Sequence, residues 1–148
     1  MRGPHRSLGL SSASLFRNEE GSFRRLPISE GWSEATVEML DAGDSMLAPL
    51  ATGRPFGIDA SEARRNRLPL GLAQPVLAVP VADRFRCFAL ALYGPHASGN
   101  DLAHDERTML AGVADKAAAI LAKLESDTLR RRIAELEHEL AKAGTRIA

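Results

Sequence analysis

The side chains with the greatest chemical capacity in this chain lie between His96 and Glu106. His96 and His104 flank or adjoin Asp101, Asp105 and Glu106, so two imidazoles and three carboxylates fall within one short segment. Imidazole beside carboxylate is the raw material of a general acid–base pair or a divalent metal site. The surroundings favour a simpler role. Gly94-Pro95-His96-Ala97-Ser98-Gly99-Asn100 is a turn-forming run, and Asp105 and Glu106 stand where a long helical pattern begins, from about Ala103. Negative charge at that position meets the helix dipole and its unpaired N–H groups. Asp101 has the right side chain for an N-cap, whereas a cap at Ala103 would put Glu106 at N3. No residue is assigned a catalytic role, and no metal site is expected.

The remaining chemistry is sparse. Cys87 is the single cysteine, which excludes an internal disulfide and any cysteine-cluster metal site. It is expected mid-strand among Phe85, Phe88 and Leu90 as a buried structural thiol, with no His or Lys neighbour in sequence to activate it. There is no glycine-rich phosphate loop, no His-Glu-x-x-His and no nucleophile elbow. Nineteen basic and nineteen acidic side chains cancel, so nothing favours nucleic acid or an anionic membrane surface. No apolar run approaches the roughly 20 residues that cross a bilayer. Leu8–Leu10 is too short for a signal-peptide core. A soluble, cytoplasmic, non-enzymatic chain is expected.

The elements that would position these residues are more legible. Ser12–Arg17 and Phe23–Ile28 flank Asn18-Glu19-Glu20-Gly21, a first hairpin whose turn needs the conformational freedom of Gly21. Arg24 and Arg25 should leave one face of its second strand wet. Glu34–Asp41 has weak helical or turn character. Asp44 should cap a short helix, Ser45–Thr52, closed by Gly53 and Pro55. Phe56–Ile58 is a short strand, and Asp59–Leu68 a polar connector, loop or helical turn. Val76–Val81 and Phe85–Tyr93, joined at Ala82-Asp83-Arg84, predict a central hairpin.

The final segment holds two apolar series. Leu110, Val113, Ala117, Ile120, Leu121 and Leu124 repeat at helical spacing and should dock on the sheet. Leu129, Ile133, Leu136 and Leu140 are spaced four-three-four, the a/d pattern of a coiled coil. Charged residues surround that seam, so a second copy, in a parallel two-stranded coil, is expected to bury it; a helix folded back on its own domain is the alternative. The organisation is thus a tail at 1–11, a domain at 12–124 and a helical extension at 125–148.

In order, the first hairpin, Gly31-Trp32, the helix ending Gly53-Arg54-Pro55, the Phe56–Ile58 strand, Val76-Leu77-Ala78-Val79-Pro80-Val81, Phe88–Gly94 and Asp105-Glu106-Arg107-x-Met109-Leu110 resemble a GAF domain from roughly Ser12 to Leu124. The resemblance implies an α+β fold: an antiparallel sheet of about five to six strands, flanking helices and a long C-terminal helix. It implies a sensory or regulatory module, often dimeric, that relays a signal to a fused or separate output domain. It also implies a small-molecule pocket on one sheet face, at which Trp32, Met46, Leu50, Phe56, Ile58, Leu70 and Gln74 would converge. A purely structural dimerisation domain is the alternative, and an enzyme of unknown reaction, resting only on the His96–His104 and Asp101–Glu106 neighbourhood, is a further one. The family usually opens with a helix of a dozen or more residues; here only Met1–Ser11 precedes the first strand, with Gly3-Pro4 inside, so either the start is truncated or a partner supplies the missing cover over the sheet. The Asn-Lys-x-Asp-Phe-Asp-type set of cyclic-nucleotide-binding members is absent. One strand cysteine suits neither bilin attachment nor methionine-sulfoxide reduction, so the cofactor stays unknown.

Overall fold

Glu20 and Gly21 both take positive φ, and this left-handed pair turns the chain back on itself between the first two strands. The computed structural model describes residues 9–33 and 36–147. Strand β1 (Ala13–Asn18) pairs antiparallel with β2 (Ser22–Glu30), and β2 with β3 (Met39–Asp41). The segment expected to be helical or turn-like therefore ends as an edge strand. Phe23 lies opposite Leu40, and both side chains are buried, so cross-strand packing overrides weak local propensity. Residues 34–35, and most of the expected 1–11 tail, lie outside the described residues.

After β3 comes a 3-10 helix, Ser45–Thr52, then β4 (Phe56–Gly57) and α1 (Ala60–Arg65). Asp44 caps the first of these: its carboxylate accepts the Met46 N–H at 2.8 Å and a bond from Arg65 at 2.9 Å. Gly53 closes it in the left-handed conformation. The polar connector resolves into α1, where Asp59 and Glu62 form a reciprocal capping box. The Met46 N–H, then Arg65, hold the Asp44 carboxyl below its ordinary range. A folded-state value lowered in this way stabilises the domain at pH above the unfolded value. That contribution is expected to fade as pH falls below about 4. Asp44→Ala should remove it at a cost of about 1 kcal/mol at neutral pH, read from urea midpoints at pH 7 and pH 3. Equal losses at both pH values would contradict this role.

A further 3-10 turn, Gly71–Ala73, leads into β5 (Leu77–Ala82) and β6 (Cys87–Tyr93). The sheet has six strands in the order β3-β2-β1-β6-β5-β4, with every pairing antiparallel. β4 pairs only with Leu77 and Ala78, so Pro80 stands where β5 lacks a second neighbour, a position that tolerates its missing N–H.

Period-two alternation divides the apolar side chains between two layers. Phe16, Phe23, Leu40, Ala78, Leu90 and Leu92 face Met46, Leu47, Ile58, Ala63 and Leu68 on one side. Leu77, Val79, Val81, Ala89, Ala91 and Tyr93 face the long helix α2 (His104–Ile147) on the other. β6 is buried in both layers, and this is why it reads as a nearly unbroken apolar run.

The docking face of α2 differs from the expected one. Leu110, Ala114 and Ala118 meet the sheet, whereas Val113, Ile120, Leu121 and Leu124 are exposed. The sheet face already carries Leu77, Val79, Val81 and Tyr93, so close approach selects alanine on the helix. Past Glu125 the helix leaves the domain, and every residue from Ser126 to Gly144 is exposed.

Candidate functional site

Three regions could carry function: the apolar layer around Trp32, the cluster at the start of α2, and the projecting half of α2. In the first, Trp32, Met46, Leu50, Phe56 and Ile58 all belong to or pack against one cluster. Leu70 is exposed and Gln74 is half-buried at the end of the Gly71–Ala73 turn; neither joins that cluster. The layer is filled largely by its own side chains. Phe16 meets Trp32 edge-on, with ring centroids 5.6 Å apart.

Beside it lies a shallow cavity of about 200 Å³, lined by Arg25, Leu26, Pro27 and Glu38. That is below the roughly 300–1,000 Å³ of ordinary small-molecule pockets. The Arg25 guanidinium sits 5.4 Å from the centre of the Trp32 ring and donates to the Ser33 carbonyl at 3.3 Å. Buried Trp32 Nε1 and Arg25 Nε find no acceptor among the described residues. Of the two, only Arg25 lines the cavity, and both nitrogens are closed off from solvent. The sequence marked Arg25 only as a break in an apolar strand; its stacking on a residue seven positions later leaves no local signal.

At the start of α2, Glu106 is the organising side chain. It accepts the Ala103 N–H at 2.8 Å and lies 2.8 Å from His96 Nε2. The cap is therefore at Ala103, with Glu106 at N3. Asp101 instead accepts the Leu102 N–H and pairs with Arg107. The Ala103 N–H, then His96, hold the Glu106 carboxyl below its ordinary range. His104 is exposed, and His96 turns to Glu106, so the two histidines do not form a common site. No group of three or more metal-ligating side chains converges among the described residues. The segment joins helix to sheet: Leu10 bridges His96, and Ser11 N–H reaches the Pro95 carbonyl at 2.7 Å.

Cys87 opens β6 rather than lying mid-strand, and is half-buried, with Sγ 3.3 Å from the Ala89 carbonyl. Burial pushes its thiol pKa up, the wrong direction for a nucleophile. Phe85, expected inside the strand, stands at the hairpin tip and is 87% exposed. Asp83 Oδ1 accepts the N–H groups of both Phe85 and Arg86 at 2.8 Å, which extends the turn by two residues. The Asp at the turn start was the available signal.

Neither a protein-family model nor a curated protein matches the sequence. Solved structures do match. The GAF-B domain of DevS from Mycobacterium smegmatis superposes with a TM-score of 0.63 at 17% identity, over 86% of this chain and 90% of that one. The GAF domain of a phosphoenolpyruvate-protein phosphotransferase from Acinetobacter gives 0.62 at 14% identity, over 83% and 78%. The fold is GAF-like. The GAF-like sheet order and the helix across its back thus agree with the resemblance carried by the sequence. The type II free methionine-R-sulfoxide reductase of Thermoplasma acidophilum also matches, with a TM-score of 0.56 at 12% identity, over 78% and 81%. An enzyme therefore shares this architecture with GAF domains, and the fold alone does not assign chemistry. Among the described residues, no helix is long and apolar enough to cross a membrane.

Proposed function

We propose that this chain is a non-catalytic, GAF-like sensory or regulatory module that forms a homodimer through α2 and relays a signal along that helix. One observation carries the reading: Leu129, Ile133, Leu136 and Leu140 form an exposed apolar stripe on a helix that has left its domain. Such a stripe is unstable alone, since an isolated helix of this length is marginal in water. A second copy supplies the same stripe, and Arg130, Arg132, Glu137 and Glu139 flank it with both signs of charge. An output domain, fused or separate, would receive the signal at the far end.

Light scattering tests the assembly. The full chain is expected to be a dimer and a chain ending near Glu125 a monomer. A monomeric full chain overturns the reading. Ile133→Asp with Leu136→Asp is expected to give a monomer whose near-UV circular dichroism, dominated by Trp32, is unchanged. Lost dichroism would instead place the stripe against its own domain.

A second reading, small-molecule binding beside Trp32, is favoured by the cavity that Arg25 lines next to the Trp32 ring. Trp32 fluorescence titrated with a panel of small carboxylates and phosphates tests it. No change across the panel, together with a ligand-free native mass from the source organism, would favour a purely structural dimerisation domain.

A further inference from the structure

We propose that the Arg84-Phe85-Arg86 tip of the β5–β6 hairpin docks on the last turns of α2 from a second copy, in an antiparallel pairing of the projecting helices. The inference rests on the dimeric reading above and adds its direction, which differs from the parallel coil expected from the sequence.

The face of the helix decides the direction. Leu110, Ala114 and Ala118 lie against the sheet, and half-buried Ala122 and Glu125 continue their line. Leu129, Ile133, Leu136 and Leu140 follow in steps of three and four. At about 100° per residue, the projecting stripe points within roughly 60° of the direction in which the first half of α2 meets its sheet. A straight parallel partner would run along that side at the height of Ala114 and Ala118. The sheet fills that space, because a packed helix and a packed sheet both sit about 10 Å away. An antiparallel partner covers only the projecting half and carries its own domain beyond the far end.

The stripe is also self-complementary in this sense. Pairing Leu129 with Leu140 and Ile133 with Leu136 gives a two-fold arrangement. It sets Arg130 and Arg132 of each copy against Glu137 and Glu139 of the other. A parallel register can also pair Arg132 with Glu137, so charge allows both directions and the position of the sheet chooses between them.

The tip then finds its partner. Asp83 holds the turn through the Phe85 and Arg86 N–H groups, and Arg86 is ion-paired to Glu125 where α2 leaves the sheet. Phe85 is thus presented on a fixed loop, 87% exposed, at the root of the projecting helix. The register above brings Ala143 of the second copy opposite Ser126, next to Glu125. Leu140, at 72% the most exposed member of the stripe, arrives one turn before it, within reach of Phe85. The stripe alone spans only about 16 Å of helix. Two such aromatic contacts, one at each end, extend the interface with the type of side chain that anchors interfaces.

Disulfide trapping under mild oxidation, in a Cys87→Ser background, tests the direction. Ser126→Cys mixed with Ala143→Cys is expected to give a linked heterodimer, while neither variant links to itself. Self-linking of Ser126→Cys would show a parallel coil and overturn the proposal while leaving the dimer intact. A full chain that is monomeric by light scattering would overturn both. Should the Cys87→Ser background not fold, the same variants with Cys87 retained, mapped by mass spectrometry of linked peptides, give the same answer. Phe85→Ser is expected to raise the dimer dissociation constant about tenfold. An unchanged constant overturns the role of the tip.

Discussion

Phe16→Ala is expected to lower the stability of the domain by about 3–5 kcal/mol, the largest loss for any single truncation of this core. Phe16 is fully buried on β1, a strand hydrogen-bonded on both sides to β2 and β6. Its ring meets Trp32 edge-on and fills the layer between the sheet and the Ser45–Thr52 helix. Alanine would leave a cavity that paired strands cannot close, so the transfer and cavity losses add. Urea unfolding followed by Trp32 fluorescence reads the effect, with a lower midpoint and an unchanged slope. A loss under about 1 kcal/mol would mean that Phe16 does not occupy this layer.

Gly31→Ala is expected to cost about 3 kcal/mol, for a reason unrelated to hydrophobic burial. Gly31 has φ +75°, and a Cβ there would stand 2.6 Å from the Ser11 carbonyl oxygen and 2.9 Å from Ser12 Cβ. The first neighbour is backbone and cannot swing aside. Left-handed strain of about 1–2 kcal/mol adds to overpacking of similar size. Gly53→Ala is the control. Its φ is +67°, but nothing lies within 4 Å of the added methyl, so strain of about 1 kcal/mol should be the whole effect. Thermal unfolding of the two variants separates strain from collision. Equal losses would show that the chain crossing between Gly31 and Ser11 is looser than described.

The fold was legible wherever local chemistry and tertiary packing agree. Val76–Val81 and the β6 run carry their own pattern, Asp44 and Gly53 bracket a helix, and Gly21 marks a turn. It was less legible where packing decides. β3 exists because Leu40 faces Phe23, and residues seventeen positions apart leave no periodic trace. The face of α2 is hidden in the sequence for a related reason. Size suggested that leucine and isoleucine go inward, yet the sheet takes Ala114 and Ala118 and leaves Ile120 outside. Met109, Val113, Ile120 and Leu124 then form an outer line about half a turn from the Leu129–Leu140 stripe. No single straight partner helix can cover both lines. The Arg25–Trp32 pairing was illegible because it depends on how the chain leaves β2 and crosses at Gly31.

The ion pair between Arg86 and Glu125 gives α2 the mechanics of a lever. Up to that point the helix lies close against the sheet through Leu110, Ala114 and Ala118. Beyond it, the projecting helix reaches about 22 Å to Leu140, so a 10° tilt at the pivot would carry the tip, and the second copy paired with it, by about 4 Å. Displacements too small to disturb the core can therefore be geared up into a stroke comparable to the pitch of one helical turn.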